Sequence, residues 1–178
     1  MRKFMYFCKH KTQNNMLAFP IKIYVGEEVQ LIYTQTEFDT FASTYTMVNA
    51  AGGIVMNGEQ EVLMIYRRNK WDFPKGKVEE NESVHIAAVR EVMEETGIKE
   101  ISIVGELPST FHTYIENGVL ILKQTYWYDM VSWGTTKPTP QTEEDITEVK
   151  WVPIEQVAEL LAGSYPSLFD LWKMLLSD

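Results

Sequence analysis

Cysteine is almost missing from this chain, Cys8 being the one occurrence among 178 residues. A lone thiol excludes an intrachain disulfide and any cysteine-rich metal centre, and it suits a reducing cytoplasm. Long apolar runs are missing too, since no stretch reaches the roughly 18 residues of a membrane-spanning helix. The basic start MRKFMYFCKHK looks like the opening of a secretory signal, but only Phe4 to Cys8 are apolar before Lys9 and Lys11 intervene. That is short of the apolar core such signals need. Positive charge is scarce: 16 Lys and Arg face 25 Asp and Glu, a formal net charge of −9. Such a surface repels a phosphate backbone, which argues against a general nucleic-acid binder and makes any phosphate recognition local. The expectation is a cytoplasmic protein with no membrane association.

A chain of this length buries about 70% of its unfolded surface as one domain and is marginal for two. Residues 1–18 read as a tail. Pro20 to Val25 and Val29 to Tyr33 alternate apolar and polar residues around Gly26, the pattern of a hairpin, and Glu37 to Ser43 reads as a turn or short helix. No chemistry is assigned to this extension, residues 1–45. It either covers a sheet edge or builds a homodimer contact. From Thr46 the pattern turns to strands. Met47 to Met56 reads as a buried strand closely crossed at its glycines, and Asn57-Gly58 as a hairpin turn into Glu61 to Tyr66. Ile101 to Glu106, Ser109 to Tyr114, Val119 to Met130 after an Asn117-Gly118 turn, and Val149 to Val152 are further strands, with helices at Ile154 to Leu161 and Leu168 to Leu176. Residues 46–178 thus form an α/β domain, simplest as a mixed sheet between helices.

Between the strands lies Gly76 to Ile98, with Glu91, Glu94 and Glu95 at spacings i, i+3 and i+4. On a helix these share an arc of roughly 100°. Gly97 reads as a left-handed C-terminal cap, so the carboxylates crowd the last turn, where the helix dipole disfavours negative charge. A hard divalent cation relieves that crowding; a solvated acidic helix end is the plainer alternative. Val84, Ala87 and Ala88 fall on the arc of the glutamates while Ile86, Val89 and Met93 fall opposite, which predicts a helix packed on two sides. Arg90 and Glu82 are too far apart for an i, i+4 pair, so Arg90 reads as a fork that ties the preceding loop to a carboxylate and aims the cluster.

Five residues separate Gly76 from Glu82, seven separate Glu82 from Arg90, and Glu91, Val92, Glu94, Glu95, Gly97 and Ile98 follow in order. This resembles the complete Nudix box. The resemblance covers residues 46–162 and implies the Nudix α/β/α sandwich and a hydrolase that cleaves a nucleoside diphosphate linked to another moiety, using Mg²⁺ or Mn²⁺. By analogy with the family, Glu91, Glu94, Glu95 and the main-chain carbonyl of Lys75 are the metal ligands. Glu94, Glu91 and Arg90 are the catalytic group, joined by Glu144 from the acidic loop Glu143-Glu144-Asp145, since a glutamate beyond the box often supplies a ligand or base.

The segment before the box holds Arg67, Arg68, Lys70, Lys75 and Lys77 against a single acid, Asp72. Cations beside carboxylates suit a polyphosphate bound through a metal, so Arg67, Arg68, Lys75 and Lys77 are candidate substrate contacts. His112 and Lys123 are further candidates, and Tyr126, Trp127, Tyr128 or Trp133 could stack on a base. Trp71-Asp72-Phe73-Pro74-Lys75-Gly76-Lys77-Val78 resembles the Trp-x-x-Pro-Lys-Gly-x-Val segment of Nudix hydrolases that act on dinucleoside polyphosphates, and of some that act on oxidised dGTP. The implied substrate is a small nucleotide, foremost diadenosine tetraphosphate. The alternatives are 8-oxo-dGTP, ADP-ribose or another nucleoside diphosphate sugar, or a module that senses nucleotides without turnover.

Overall fold

The computed structural model describes residues 17–177. Cys8 and the basic start lie outside the described residues. Nine strands make one mixed sheet: β1 (Ile21–Val25), β2 (Glu28–Ile32), β3 (Thr46–Met56), β4 (Glu61–Arg67), β5 (Lys70–Asp72), β6 (Lys75–Lys77), β7 (Ile101–Glu116), β8 (Val119–Ser132) and β9 (Ile146–Pro153). The order is β2-β1-β7-β8-β3-β4-β5, with β6 paired to β3 and β9 to β4. The β1/β7 and β3/β8 pairs are parallel and the others antiparallel. Helices α1 (Gln35–Ala42), α2 (Val84–Thr96), α3 (Ile154–Ala162) and α4 (Pro166–Ser177) complete the chain. Among the described residues no helix is long and apolar enough to cross a membrane.

The alternation of β8 explains the layers. Tyr126, Tyr128 and Met130 face one side, where with Ala51 and Val55 they pack under Ala87, Ala88 and Val92 of α2. Trp127 faces the other, where Ile54, Met64 and Phe73 meet Val157 and Leu161 of α3 and Leu171 and Trp172 of α4. The result is the expected α/β/α sandwich. The described part of the extension, residues 17–45, departs from a bare sandwich: β1 joins the sheet through Ile23↔Phe111, Tyr24↔His112 and Val25↔Thr113, so it covers the edge of β7. Its underside forms a small core of its own, Ile21, Ile23, Ile32 and Phe38 against Phe111 and Leu122.

Three expectations are corrected. The two strands foreseen around Pro108 are one, β7, whose pairing to β8 shifts between Leu107 and Thr110. Proline has no N–H to give the ladder, so the strand bulges there rather than ending. Helix α2 is not packed on both sides: Ile86 is 56% and Met93 36% exposed, because the sheet lies on one side of it and solvent on the other. In the turn after β3 the left-handed residue is Gln60 (φ 63°), not Gly58, and Asn57 stabilises the four-residue loop by accepting the Glu59 and Glu61 N–H groups on its side-chain oxygen.

The close crossing read from the glycines of β3 is present. A Cβ on Gly52 would lie 2.3 Å from the Pro74 carbonyl oxygen and 2.4 Å from Lys75 Cβ. Gly52→Ala therefore pushes β6 off β3. It should cost about 1–3 kcal/mol of stability, read by denaturant unfolding; an unchanged unfolding midpoint would contradict the crossing.

Candidate active site

The last turn of α2 ends as its sequence dictates, with Gly97 at φ +71° donating its N–H to Met93 O at 2.9 Å. The three glutamates do not share one environment. Glu95 is fully buried, its Oε2 accepting the Lys75 N–H at 2.8 Å and its Oε1 lying 3.5 Å from Arg67 Nη1. Glu91 is buried against Gly76, where a Cβ would come within 1.9 Å of Glu91 Oε2. The Glu94 side chain is 51% exposed. Burial raises the Glu95 pKa to about 7 against the opposing pull of Lys75 and Arg67. It raises that of Glu91 as well, helped by the like charges of Glu144 and Glu94, with Arg90 pulling the other way.

Arg90 joins the pieces. Its Nε and Nη2 donate to the two oxygens of Glu82, each at 2.8 Å, and Nη2 also reaches the Lys77 carbonyl at 3.0 Å. Nη1 bridges Glu91 Oε1 at 2.8 Å and Glu94 Oε2 at 2.9 Å. The fork thus fastens the loop before α2 to the acidic turn, and it holds the Glu82 pKa down to about 2.

The basic segment is mostly neutralised by acids, all but Asp72 from outside it. Arg67 Nη1 stands between Glu95 at 3.5 Å and Glu144 at 3.8 Å. Arg68 is exposed and lies 3.6 Å from Asp145, and Lys77 is 4.0 Å from Glu116. Lys75 is paired with Asp72; burial disfavours its ammonium, but Asp72 and Glu95 outweigh burial and raise its pKa. Lys70 sits over the Tyr165 ring at 4.7 Å rather than on the site.

Part of this set lines a cleft of about 720 Å³, a size that suits a nucleotide; Glu82, Arg90, Glu94 and Glu95 are not in its lining. Arg67, Arg68, Lys75, Lys77, Glu91 and Glu144 line its acidic end; His112 and Lys123, cross-strand partners on β7 and β8, line its floor. Burial, with the nearby Lys75, drops the Lys123 pKa to about 8, and burial with Lys123 and Lys75 drops that of His112 to about 4. Of the four aromatics considered from sequence, only Trp127 lines the cleft, with its Nε1–H donated to Thr110. Tyr126 and Tyr128 pack towards α2, and Trp133 is 64% exposed beyond β8. The aromatic lining comes instead from Tyr24, Tyr114 and Tyr165, which the motif reading passed over. For Tyr24 a signal existed: in the alternating hairpin it falls opposite Ile21, Ile23 and Val25, an aromatic on the polar side of a strand. Asp72, the buried partner of Lys75, was passed over as well.

The donors fit a hard divalent ion in kind, being carboxylates at one helix end, of which the buried Glu91 and Glu95 have raised pKa values. As posed, among the described residues no three acidic, histidine or cysteine side chains converge on one point, since Arg90 bridges Glu91 and Glu94.

A family model described as the NUDIX domain matches residues 46–171. Among curated proteins, the chain is 32% identical over 124 residues to a putative mutator protein MutT4 of Mycobacterium tuberculosis, a match covering 64% of this chain and 49% of that protein. It is 27% identical over 127 residues to an RNA pyrophosphohydrolase of Pelagibacter ubique, covering 64% and 80% respectively. The chain spans about half the length of the first curated relatives it matches, 49% and 52%. Among solved structures it is similar in fold to a Caenorhabditis elegans Ap4A hydrolase in a binary complex, with TM-score 0.60 and 21% identity over 73% of this chain and 96% of that one.

Two outcomes follow from the acidic turn. Because the folded state holds the Glu95 proton up to about pH 7, whereas an unfolded glutamate releases it near its ordinary value, the stability this group gives is complete at low pH and is lost as pH rises to about 7. In chelator, the stability of Glu95→Gln relative to the unsubstituted protein should therefore improve by about 3 kcal/mol between pH 4.5 and 8; a difference flat with pH would show that Glu95 is not buried. Arg90→Ala unties the loop, lowering both Tm and activity, and Arg90→Lys restores only part, because an ammonium cannot span both oxygens of Glu82. Full activity and Tm in Arg90→Ala would rule the strut out.

Proposed function

The chain belongs to the Nudix family, and from that premise we propose that it hydrolyses the phosphoanhydride bond of a nucleoside polyphosphate, with dinucleoside polyphosphates such as diadenosine tetraphosphate preferred. The observation that carries this reading is the polarity of the cleft: carboxylates at one end, Lys123 and His112 along the floor, tyrosines beyond. Lys123 forms no ion pair among the described residues, so it is free to meet a phosphate where Arg67, Lys75 and Lys77 are already matched by acids.

Nudix hydrolases generally use divalent metal ions. Glu91, Glu94, Glu95 and the main-chain carbonyl of Lys75 would hold Mg²⁺ or Mn²⁺ here, and the bound ion supplies charge neutralisation and a more acidic water. The protein's own groups do the rest. Arg90 fixes the loop and the acidic turn relative to each other. Glu94 and Glu144, carboxylates open to solvent at 51% and 39%, are the candidates to take the proton of the attacking water as the anhydride P–O bond breaks. Lys123 and neutral His112 hold the remaining phosphate oxygens. A second reading, hydrolysis of an oxidised dGTP, draws on a local similarity, 48% over 46 residues, to a putative 8-oxo-dGTP diphosphatase of Bacillus subtilis.

A substrate panel with Mg²⁺, followed by chromatography of the products, tests the proposal. Diadenosine tetraphosphate should rank above 8-oxo-dGTP and ADP-ribose, excess chelator should abolish turnover, and Glu94→Gln should lower kcat by about 10²–10⁴-fold with Tm unchanged. Turnover in chelator would sink the metal chemistry. Preference for ADP-ribose would overturn the substrate alone, and a fully metal-loaded protein inert towards the whole panel would favour a nucleotide-sensing module.

A further inference from the structure

The N-terminal extension lies outside the residues that the family model matches, yet it forms part of the cleft wall. Tyr24 and Gly26 of β1 and its turn line the cavity beside Tyr114 of β7 and Tyr165 and Ser167 at the α3–α4 corner. The register explains why. Tyr24 pairs with His112, His112 with Lys123, and Lys123 with Val48, so one row of side chains crosses β1, β7, β8 and β3 on the same face of the sheet. At about 4.8 Å per strand, Tyr24 stands about 14 Å from β3, and β6 with the acidic box lies beyond β3 on its far side. The extension is also latched. The Tyr24 hydroxyl donates to Asp170 Oδ2 of α4 at 2.6 Å, and Lys22 Nζ meets the same oxygen at 2.6 Å. Through burial first and that bond second, the phenol is held neutral far above its ordinary pKa. Asp170 is matched by Lys22 and does not line the cavity; Glu116, whose charge bears on Tyr114, does line it but lies 4.0 Å from Lys77, so this end presents rings and hydroxyls with one ion-paired carboxylate among them.

We propose that the extension completes a nucleoside subsite in which Tyr24, with Tyr114 and Tyr165, takes the base and ribose of a nucleotide whose phosphates run over Lys123 towards the acidic turn of α2. The identity of the ligand rests on the nucleotide-hydrolase reading above. The placement of a flat, apolar, uncharged group beside a phosphate path rests on the cleft itself. Rings stack on any base, and the hydroxyls of Thr113 and Ser167, also in the lining, suit a ribose.

The test is calorimetric titration of the whole chain with two probes, a methylene-bridged ATP analogue that resists hydrolysis and inorganic tripolyphosphate, which has no base. The unsubstituted protein should bind the analogue more tightly than tripolyphosphate. Tyr24→Leu should weaken the analogue by about tenfold, the worth of one ring on one base, with a much smaller effect on tripolyphosphate. Tyr24→Phe, which keeps the ring and drops the latch, should weaken it less than Tyr24→Leu does. If Tyr24→Leu does not fold, Tyr114→Leu carries the same expectation. Equal weakening of both probes, no weakening of either, or no preference for the analogue in the unsubstituted protein overturns the subsite. If the protein hydrolyses nothing in the substrate panel but shows the base-dependent loss, the hydrolase reading fails and the nucleoside subsite stands.

Discussion

The contact between the Glu91 carboxylate and the backbone at Gly76 sets the geometry on which the site depends. No side chain fits there, so the loop before the box can lie directly on the acidic turn of α2. That proximity brings the Lys75 N–H to Glu95 and the Lys77 carbonyl to Arg90. The same closeness on the other side of the loop, Gly52 against Pro74 and Lys75, presses the loop onto β3. Two glycines on different strands thus clamp three residues of chain between a sheet and a helix. The buried carboxylates are the cost of this arrangement, and their raised pKa values measure it.

Charge in the cleft is arranged by compensation. Arg67, Arg68, Lys75 and Lys77 each have an acid within 4.0 Å. Lys123, half-buried and without an ion pair among the described residues, is the exception. Its lowered pKa reflects burial and the neighbouring Lys75, both of which an anion at that point would offset.

Much of the fold was legible in the sequence because local rules and tertiary packing agree there. The box helix with its left-handed Gly97 cap, the Asn117-Gly118 turn and the alternating β1–β2 hairpin all appear where periodicity and turn chemistry put them. Misreadings arose where a tertiary neighbour decided. Periodicity cannot say that only one side of α2 meets the sheet, nor that β7 runs through Pro108. In the site, the motif supplied the carboxylates because they are close in sequence. It could not supply Tyr24, Tyr114 and Tyr165, which meet only through the parallel β1/β7 pair and the α3–α4 corner. Nor could charge counting show that the cations of the basic segment are matched by acids as distant as Glu116 and Glu144.

The Lys22 and Tyr24 contacts to Asp170 join positions 148 and 146 residues apart. Closing so large a loop is entropically slow, and the last helix leaves the ribosome long after the first strand. The strands and helix that carry the acidic box lie within residues 46–153 and are all made before α4. The tyrosine-lined end has to wait for α4. That wall is therefore closed only when α4 reaches β1, the last and the first of the described elements.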